Sequence, residues 1–234
     1  MLRKLIIFIL FFNLTACGEL QGIVDQLPQG GGLSNADIAA GLRQALNFGI
    51  DKQVSKLTKK DGFYENQLVK ILLPDELQKV DKALRDIGLS SLADEGLKVL
   101  NRAAEDAVGE ATPIFVNAVK DITFTDAKNI LLGNKDAATQ YLIGKTQTAL
   151  YDKFHPVINN SFNKVGADQV WANLINRYNA IPFTNNVNPD LTDYVTGEAL
   201  KGVYTMIAVE EKEIRNKVSS RTTDLLKKVF ALQD

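Results

Sequence analysis

The side chains best equipped for chemistry are two adjacent glutamates, Glu210 and Glu211, with Arg215 four residues beyond the second. Two carboxylates can divide general-acid and general-base roles across a substrate. Adjacent residues on a helix do not face each other, whereas Glu211 and Arg215 share a face. That spacing also makes an ordinary intrahelical ion pair, worth ~0.2–0.5 kcal/mol. Arg102 and Glu105 stand three apart, as do Arg221 and Asp224 on what reads as the last helix. Alanines crowd the same stretches (Ala103, Ala104, Ala137, Ala138), and small residues let helices approach closely. Two arrangements fit. One is a partly buried ionic network that fixes how helices dock, because buried charge must be paired. The other is a polar ligand site drawn from Arg102, Glu105, Tyr141, Glu210, Glu211, Arg215, Arg221 and Asp224, with Tyr194 beside it. The network is the preferred reading. Tyr141 and Tyr194 then cap the core with their hydroxyls bonded.

Other chemistry is sparse. His155 is the only histidine, so any Ser/His/Asp or Cys/His site must use it. It precedes Pro156 and reads as an ordinary polar residue. No Gly-x-Ser-x-Gly elbow accompanies it. One histidine and one cysteine leave nothing for a conventional zinc site. Asn185, Asn186, Asn188 and Asp190 form the densest oxygen cluster but lack the spacing of a calcium loop, and turn chemistry around Pro189 explains them better. Gly30, Gly31 and Gly32 are not followed by a phosphate-binding lysine. No catalytic residue, metal or cofactor is assigned.

The one cysteine has a different use. Arg3 and Lys4 precede an apolar run from Leu5 to Phe12, too short to span a bilayer and matching a secretory signal. Leu14-Thr15-Ala16-Cys17 then resembles the lipobox of bacterial lipoproteins. The expectation is a signal peptide over 1–16 and a mature chain beginning at a lipidated Cys17. Two or three acyl chains such as palmitate would suffice for stable attachment, since one chain alone binds only marginally. Gly18 stands where aspartate would favour inner-membrane retention. The expected place is therefore the envelope, at the outer membrane facing the periplasm. Net charge is −1 for the precursor, and the mature chain loses two positive charges with Arg3 and Lys4. That balance argues against nucleic acid as a partner.

The elements that must position these residues read as helices. Residues 17–33 form a tether, broken by Pro28 and three glycines. Residues 34–234 read as one all-α domain. Ser34 caps a helix carrying Ile38, Leu42, Ala45, Leu46 and Ile50 at helical spacing. Gly62 breaks the pattern, and residues 68–73 read as a short extended piece. Pro74 opens a helix with the stripe Leu77, Val80, Leu84 and Ile87, ended by Gly88. Leu97, Leu100, Ala104 and Val108 mark the next, from Ser90. Pro113 starts another with Phe115, Ala118 and Ile122. Thr125 is expected to cap a short helix ending at Gly133. Asp136 starts a long helix that Pro156 is expected to kink or break. Further helices are expected over roughly 167–180, 190–216 and 219–231.

Several short words across the mature chain are familiar together. They are Asn101 to Glu105, Pro113 to Phe115, Asp126-Ala127, Asp136 to Thr139 with Tyr141, Tyr194 to Thr196, Glu210 to Lys212 with Ile214-Arg215, and Arg221 to Leu226. In this order they make the chain resemble the bacterial family called domain of unknown function 4197, over essentially the whole mature length. The resemblance implies an α-helical, usually exported domain and supplies no biochemical activity. The chain departs from that family at Val218, where a proline is common nearby, and at His155, where lysine is common. The second departure argues against a family-wide catalytic histidine.

Two functions follow as expectations. The first is a non-enzymatic envelope lipoprotein that binds a protein partner or another envelope component through its helical surface. The second is a small-ligand carrier or hydrolase-like enzyme built on the carboxylate and arginine network. Convergence of Arg102, Glu105, Glu211 and Arg221 on an open cavity would favour the second; dispersal or closed ion pairs would favour the first.

Overall fold

Apolar side chains at helical spacing, punctuated by capping residues, leave no strand among the described residues of a computed structural model. These are residues 33–88, 90–180, 182–183 and 185–233. The expected signal peptide over 1–16, Cys17 and the expected tether up to residue 32 lie outside them. From Asn35 onward the chain forms one compact unit. Among the described residues no helix is long and apolar enough to cross a membrane.

Helix α1 (Asn35–Leu57) buries Ile38, Leu42, Ala45, Leu46 and Ile50, the predicted stripe, and adds Val54 and Leu57. Helices α2 (Asp75–Asp86) and α3 (Ser90–Val108) follow an irregular connection. Helix α3 buries Leu97, Leu100, Ala104 and Val108 as predicted. Ile87 does not join a stripe: α2 ends at Asp86 and Ile87 is 72 % exposed. The side chains of Leu77, Val80 and Leu84 lie outside the described residues. Helix α4 (Ala111–Lys120) begins two residues before Pro113, whose missing N–H is harmless in a first turn.

Helix α5 (Phe124–Leu131) is capped by Thr123 rather than Thr125. Thr123 and Asp126 exchange bonds in a reciprocal capping box, and only the threonine three residues ahead of the aspartate can do so. Helix α6 (Ala137–Asn163) runs on past Pro156, so the proline does not break it. Pro156 and Asp152 are both exposed, so solvent takes the carbonyl that the proline leaves without a donor. Helix α7 (Ala167–Asn179) and helix α8 (Leu191–Asn216) lie close to their expected bounds. The final helix, α9 (Asp224–Phe230), is shorter than predicted, because a 3-10 turn (Val218–Ser220) and an N-cap at Thr223 precede it.

The two longest helices, α6 and α8, each ~40 Å at 1.5 Å per residue, pack along one another at the centre. Phe115, Leu142, Leu150, Phe154 and Phe162 are fully buried around them. Each such side chain contributes ~1.5–3 kcal/mol of burial free energy. A polar contact sits inside this core: Thr146 and Tyr204 share a hydrogen bond of 2.8 Å between α6 and α8. Helix α1 runs antiparallel to α8. Lys52 and Gln53 meet Glu210, whereas Phe63, further along the chain, meets Gly202, earlier on α8. A Cβ on Gly202 would lie 2.7 Å from Phe63 Cε1, so glycine lets this aromatic ring close on the helix.

Candidate functional site

Glu211 and Arg215 project from one face of α8 toward the corner between α5 and α6. The pair is buried, with 2.7 Å between Arg215 Nη2 and Glu211 Oε1. Glu211 accepts from the backbone N–H groups of Ala138 at 3.0 Å and Thr139 at 2.9 Å, and from the Thr139 hydroxyl at 2.8 Å. These are first-turn donors of α6, which have no partner within their own helix. Asp136, the N-cap by position, makes no side-chain cap. A carboxylate from another helix does its work, where the helix dipole also favours negative charge. Arg215 meanwhile donates to the carbonyls of Ile130 at 2.9 Å and Leu131 at 3.3 Å, at the C-terminal end of α5. One ion pair therefore caps two helix ends.

Glu210 points elsewhere, as adjacent helical residues must. It accepts from Lys52 at 2.8 Å and Gln53 at 2.7 Å, fastening α8 to α1. Gly49 leaves the room: a Cβ there would stand 3.2 Å from Glu210 Cγ.

Glu105 lies at another place in the fold. Its carboxylate receives the N–H groups of Phe63 at 3.1 Å and Asp61 at 3.2 Å. Asp61 is left-handed, at φ 64°, so Glu105 holds a turn that the backbone alone disfavours. Burial pushes the Glu105 carboxyl above its ordinary range; the turn's N–H groups pull it back, and the Asp61 charge adds to the rise. Arg102 faces Asp61 at 3.6 Å, an ion pair beyond hydrogen-bonding distance. Asn101, fully buried, accepts from the Ile71 N–H at 2.8 Å and donates to the Ile71 carbonyl at 2.9 Å. The stretch 101–105 thus pins the connection between α1 and α2 onto α3.

Arg221 is 2 % exposed and precedes α9 rather than lying on it, so it does not form the helical pair with Asp224 that the spacing suggests. It donates to the carbonyls of Ile214 at 3.1 Å and Arg215 at 3.0 Å, closing the C-terminal end of α8. Asp224 is exposed and pairs with Lys227 at 3.3 Å. Tyr141 is half-buried, with Lys145 over its ring. Tyr194 donates to the Leu72 carbonyl at 2.7 Å and stacks on Trp171. His155 lies beside Tyr151, with ring centroids 5.5 Å apart.

The predicted residues therefore form several separate fastenings. Glu210, Glu211 and Arg215 border a common cavity, and its volume is ≈ 20 Å³. About one probe sphere, ~10–15 Å³, is the space a single water needs. A larger groove of ≈ 440 Å³ opens elsewhere, between the irregular chain at 68–74 and α8, lined by Lys70, Tyr194, Glu198, Lys201 and Thr205. Its residues carried no signal in the sequence beyond Tyr194. Lys52 and Gln53 were equally silent, being over 150 residues from their partner. Asn101 and Thr139 stood inside familiar words without being singled out.

A second polar cluster surrounds the start of α8. Asp190 caps α8 by accepting from the Asp193 N–H at 2.9 Å. Asn188 accepts from the Asp190 N–H, the turn chemistry expected of this segment. Tyr151 donates to Asp193 at 2.6 Å, which with burial pushes its hydroxyl up to about 12. Asp168 accepts from Thr192 at 3.2 Å, and burial raises its carboxyl above the ordinary range. Among the described residues no three His, Cys, Asp or Glu side chains are grouped to hold a metal ion.

A family model described as protein of unknown function (DUF4197) matches residues 32–231. No curated protein and no solved structure matches the chain.

Proposed function

The chain belongs to the DUF4197 family, and from that premise we propose that it is a non-enzymatic interaction module of the bacterial cell envelope. One observation carries this reading. Glu211 and Arg215, the most enzyme-like residues of the sequence, are closed on each other and on two helix ends, beside a cavity of ≈ 20 Å³. A substrate would have to displace the caps of α5 and α6 to reach them. The anchor in this reading is lipid on Cys17, exposed by removal of residues 1–16 and joined to the domain by the tether over 17–33. The compartment is the periplasmic side of the outer membrane.

The test is co-purification. Full-length chain is extracted from native membranes in mild detergent after crosslinking, and attached proteins are identified by mass spectrometry. A reproducible envelope partner in stoichiometric yield supports the module. Recovery of the lipidated chain alone contradicts it. The groove of ≈ 440 Å³ is the one observation that favours a second reading, a carrier of a small polar ligand held by Lys70, Lys201 and Glu198. That reading predicts a ligand-dependent rise in melting temperature that Lys201→Ala abolishes.

A further inference from the structure

Between the turn at 61–66 and α2 the chain behaves as a lone strand. Burial alternates along it: Val69 and Ile71 are buried, whereas Leu68 and Leu72 are 64 % and 48 % exposed. That period of two marks extended backbone. The Asn101 amide takes both the N–H and the carbonyl of Ile71, as a residue on a neighbouring strand would. Successive residues of an extended chain turn their polar groups to opposite edges, so those of Lys70 and Leu72 point away from Asn101. The Leu72 carbonyl accepts from Tyr194 on α8, which places this second edge on the groove of ≈ 440 Å³. The segment is seated on α8 as well, since a Cβ on Gly202 would stand 3.3 Å from Val69 Cβ.

Two main-chain groups on the groove edge are open. The Leu72 N–H and the Lys70 carbonyl meet no partner among the described residues. A strand lying alongside engages such a donor and acceptor together. Pairing stops beyond them, because Asn66 accepts the Lys70 N–H at 2.8 Å and Pro74 has no N–H. An acyl chain offers neither donor nor acceptor, so the edge suits a peptide better than a lipid. The side chains add a second requirement. Leu68, Lys70 and Leu72 alternate along the outward face. Lys70 and Lys98 stand over the Tyr64 ring, 3.8 Å and 5.4 Å from its centroid, and neither has a carboxylate within 4 Å among the described residues. Opposite charges on facing strand positions attract, and uncovered leucines call for apolar neighbours.

Resting on the reading of the chain as an interaction module, we propose that a partner protein docks here by laying an extended segment beside residues 68–72. The segment carries apolar side chains opposite Leu68 and Leu72, with an aspartate or glutamate between them opposite Lys70. In strand addition the main-chain bonds give affinity and the alternate side chains give specificity. Asn101, Tyr194 and Gly202 already hold the receiving edge in place, which lowers the ordering cost of binding. The groove lies beyond the C-terminal end of α1, whose length separates it by ~34 Å from Asn35, where the chain's own N-terminal segment joins.

The experiment places a photo-crosslinking benzophenone residue at position 201, on the α8 wall of the groove, in the full-length chain in its native membranes. Position 132, an exposed leucine outside the groove, is the control. Two variants of matched bulk separate main-chain pairing from side-chain contact: Leu72→Val keeps the N–H and Leu72→Pro removes it. The expected result is one protein adduct from position 201 whose crosslinked peptide alternates apolar, acidic and apolar residues. Leu72→Pro should lower its yield about tenfold below Leu72→Val, the upper end for one main-chain hydrogen bond. Both variants should melt within about 2 °C of each other, because an extended residue tolerates a following proline and no internal bond is lost. Equal yields from the two variants, or a Leu72→Pro chain that melts much lower, overturn the proposal. So do adducts only with lipid, with a second copy or with residues 17–33, and a captured peptide without a carboxylate. A protein adduct at 132 but none at 201 refutes the groove edge and leaves the module reading standing. Silence at both positions removes both.

Discussion

Glu211 and Arg215 lie 2.7 Å apart inside the domain, and each is tied to a different helix end, Glu211 to the start of α6 and Arg215 to the end of α5. The spacing of the two residues predicts an ion pair of little consequence. The burial of the pair, and its second set of partners, make it a junction between three helices. Breaking such a pair leaves a largely buried charge without its partner.

Arg221 plays the same part for α8. Arg221→Ala leaves the carbonyls of Ile214 and Arg215 without their guanidinium donors. The expected cost is roughly 2–3 kcal/mol, within the range for charged hydrogen bonds. Urea unfolding of the chain produced without residues 1–16 measures it. Arg221→Lys should recover little, because one ammonium cannot reproduce the planar fork.

Gly202 sets the closest approach between the 61–66 turn and α8. Gly202→Ala places a methyl 2.7 Å from Phe63 Cε1, and Phe63 is fully buried. Overpacking of this kind costs about 1–3 kcal/mol. The matched variant Gly197→Ala meets nothing within 4 Å and should be neutral or slightly stabilising in α8. Thermal melts of the two variants side by side check the contrast.

Glu105 gives the fold a pH signature. Its carboxyl titrates higher when folded than when unfolded, chiefly through burial. Between the unfolded and folded values the folded chain binds more protons, so this group's contribution falls as pH rises through that window. The window starts near 4.5 and extends upward. Glu105→Gln resembles the protonated form, so its cost relative to the parent should be larger at pH 4.5 than at pH 7. Denaturant titrations of both proteins at the two values measure the difference.

Cys17 lies outside the described residues, and its prediction concerns the cell. Cys17→Ser should abolish incorporation of a palmitate analogue and either release the domain or leave an uncleaved precursor. A variant that still fractionates as mature, lipid-bearing protein contradicts the anchor.

Much of the architecture was legible because periodicity reports burial directly. Ile38 to Ile50 and Leu97 to Val108 announce α1 and α3 without help from the rest of the chain. Errors fell where a local rule had two readings. Thr123 and Thr125 are both capping types, and only the position of Asp126 separates them. Pro156 is a breaker in general, but an exposed one leaves its orphan carbonyl to water. Arg221 and Asp224 have helical spacing yet straddle a helix start. The fastenings of Lys52, Gln53 and Asn101 depend on which surfaces meet, and a linear pattern carries no record of that.

The central claim is that the charged residues of α8 build the fold and do not act on a ligand. A double-mutant cycle at Glu211 and Arg215, read by chemical denaturation, tests it most directly. Glu211→Gln and Arg215→Met should each cost about 3 kcal/mol, and the double variant clearly less than their sum, with a coupling on the order of 1.5 kcal/mol or more. Single variants that unfold at the parent's denaturant concentration, with no coupling between them, would contradict the account and return these side chains to the list of candidate ligand contacts.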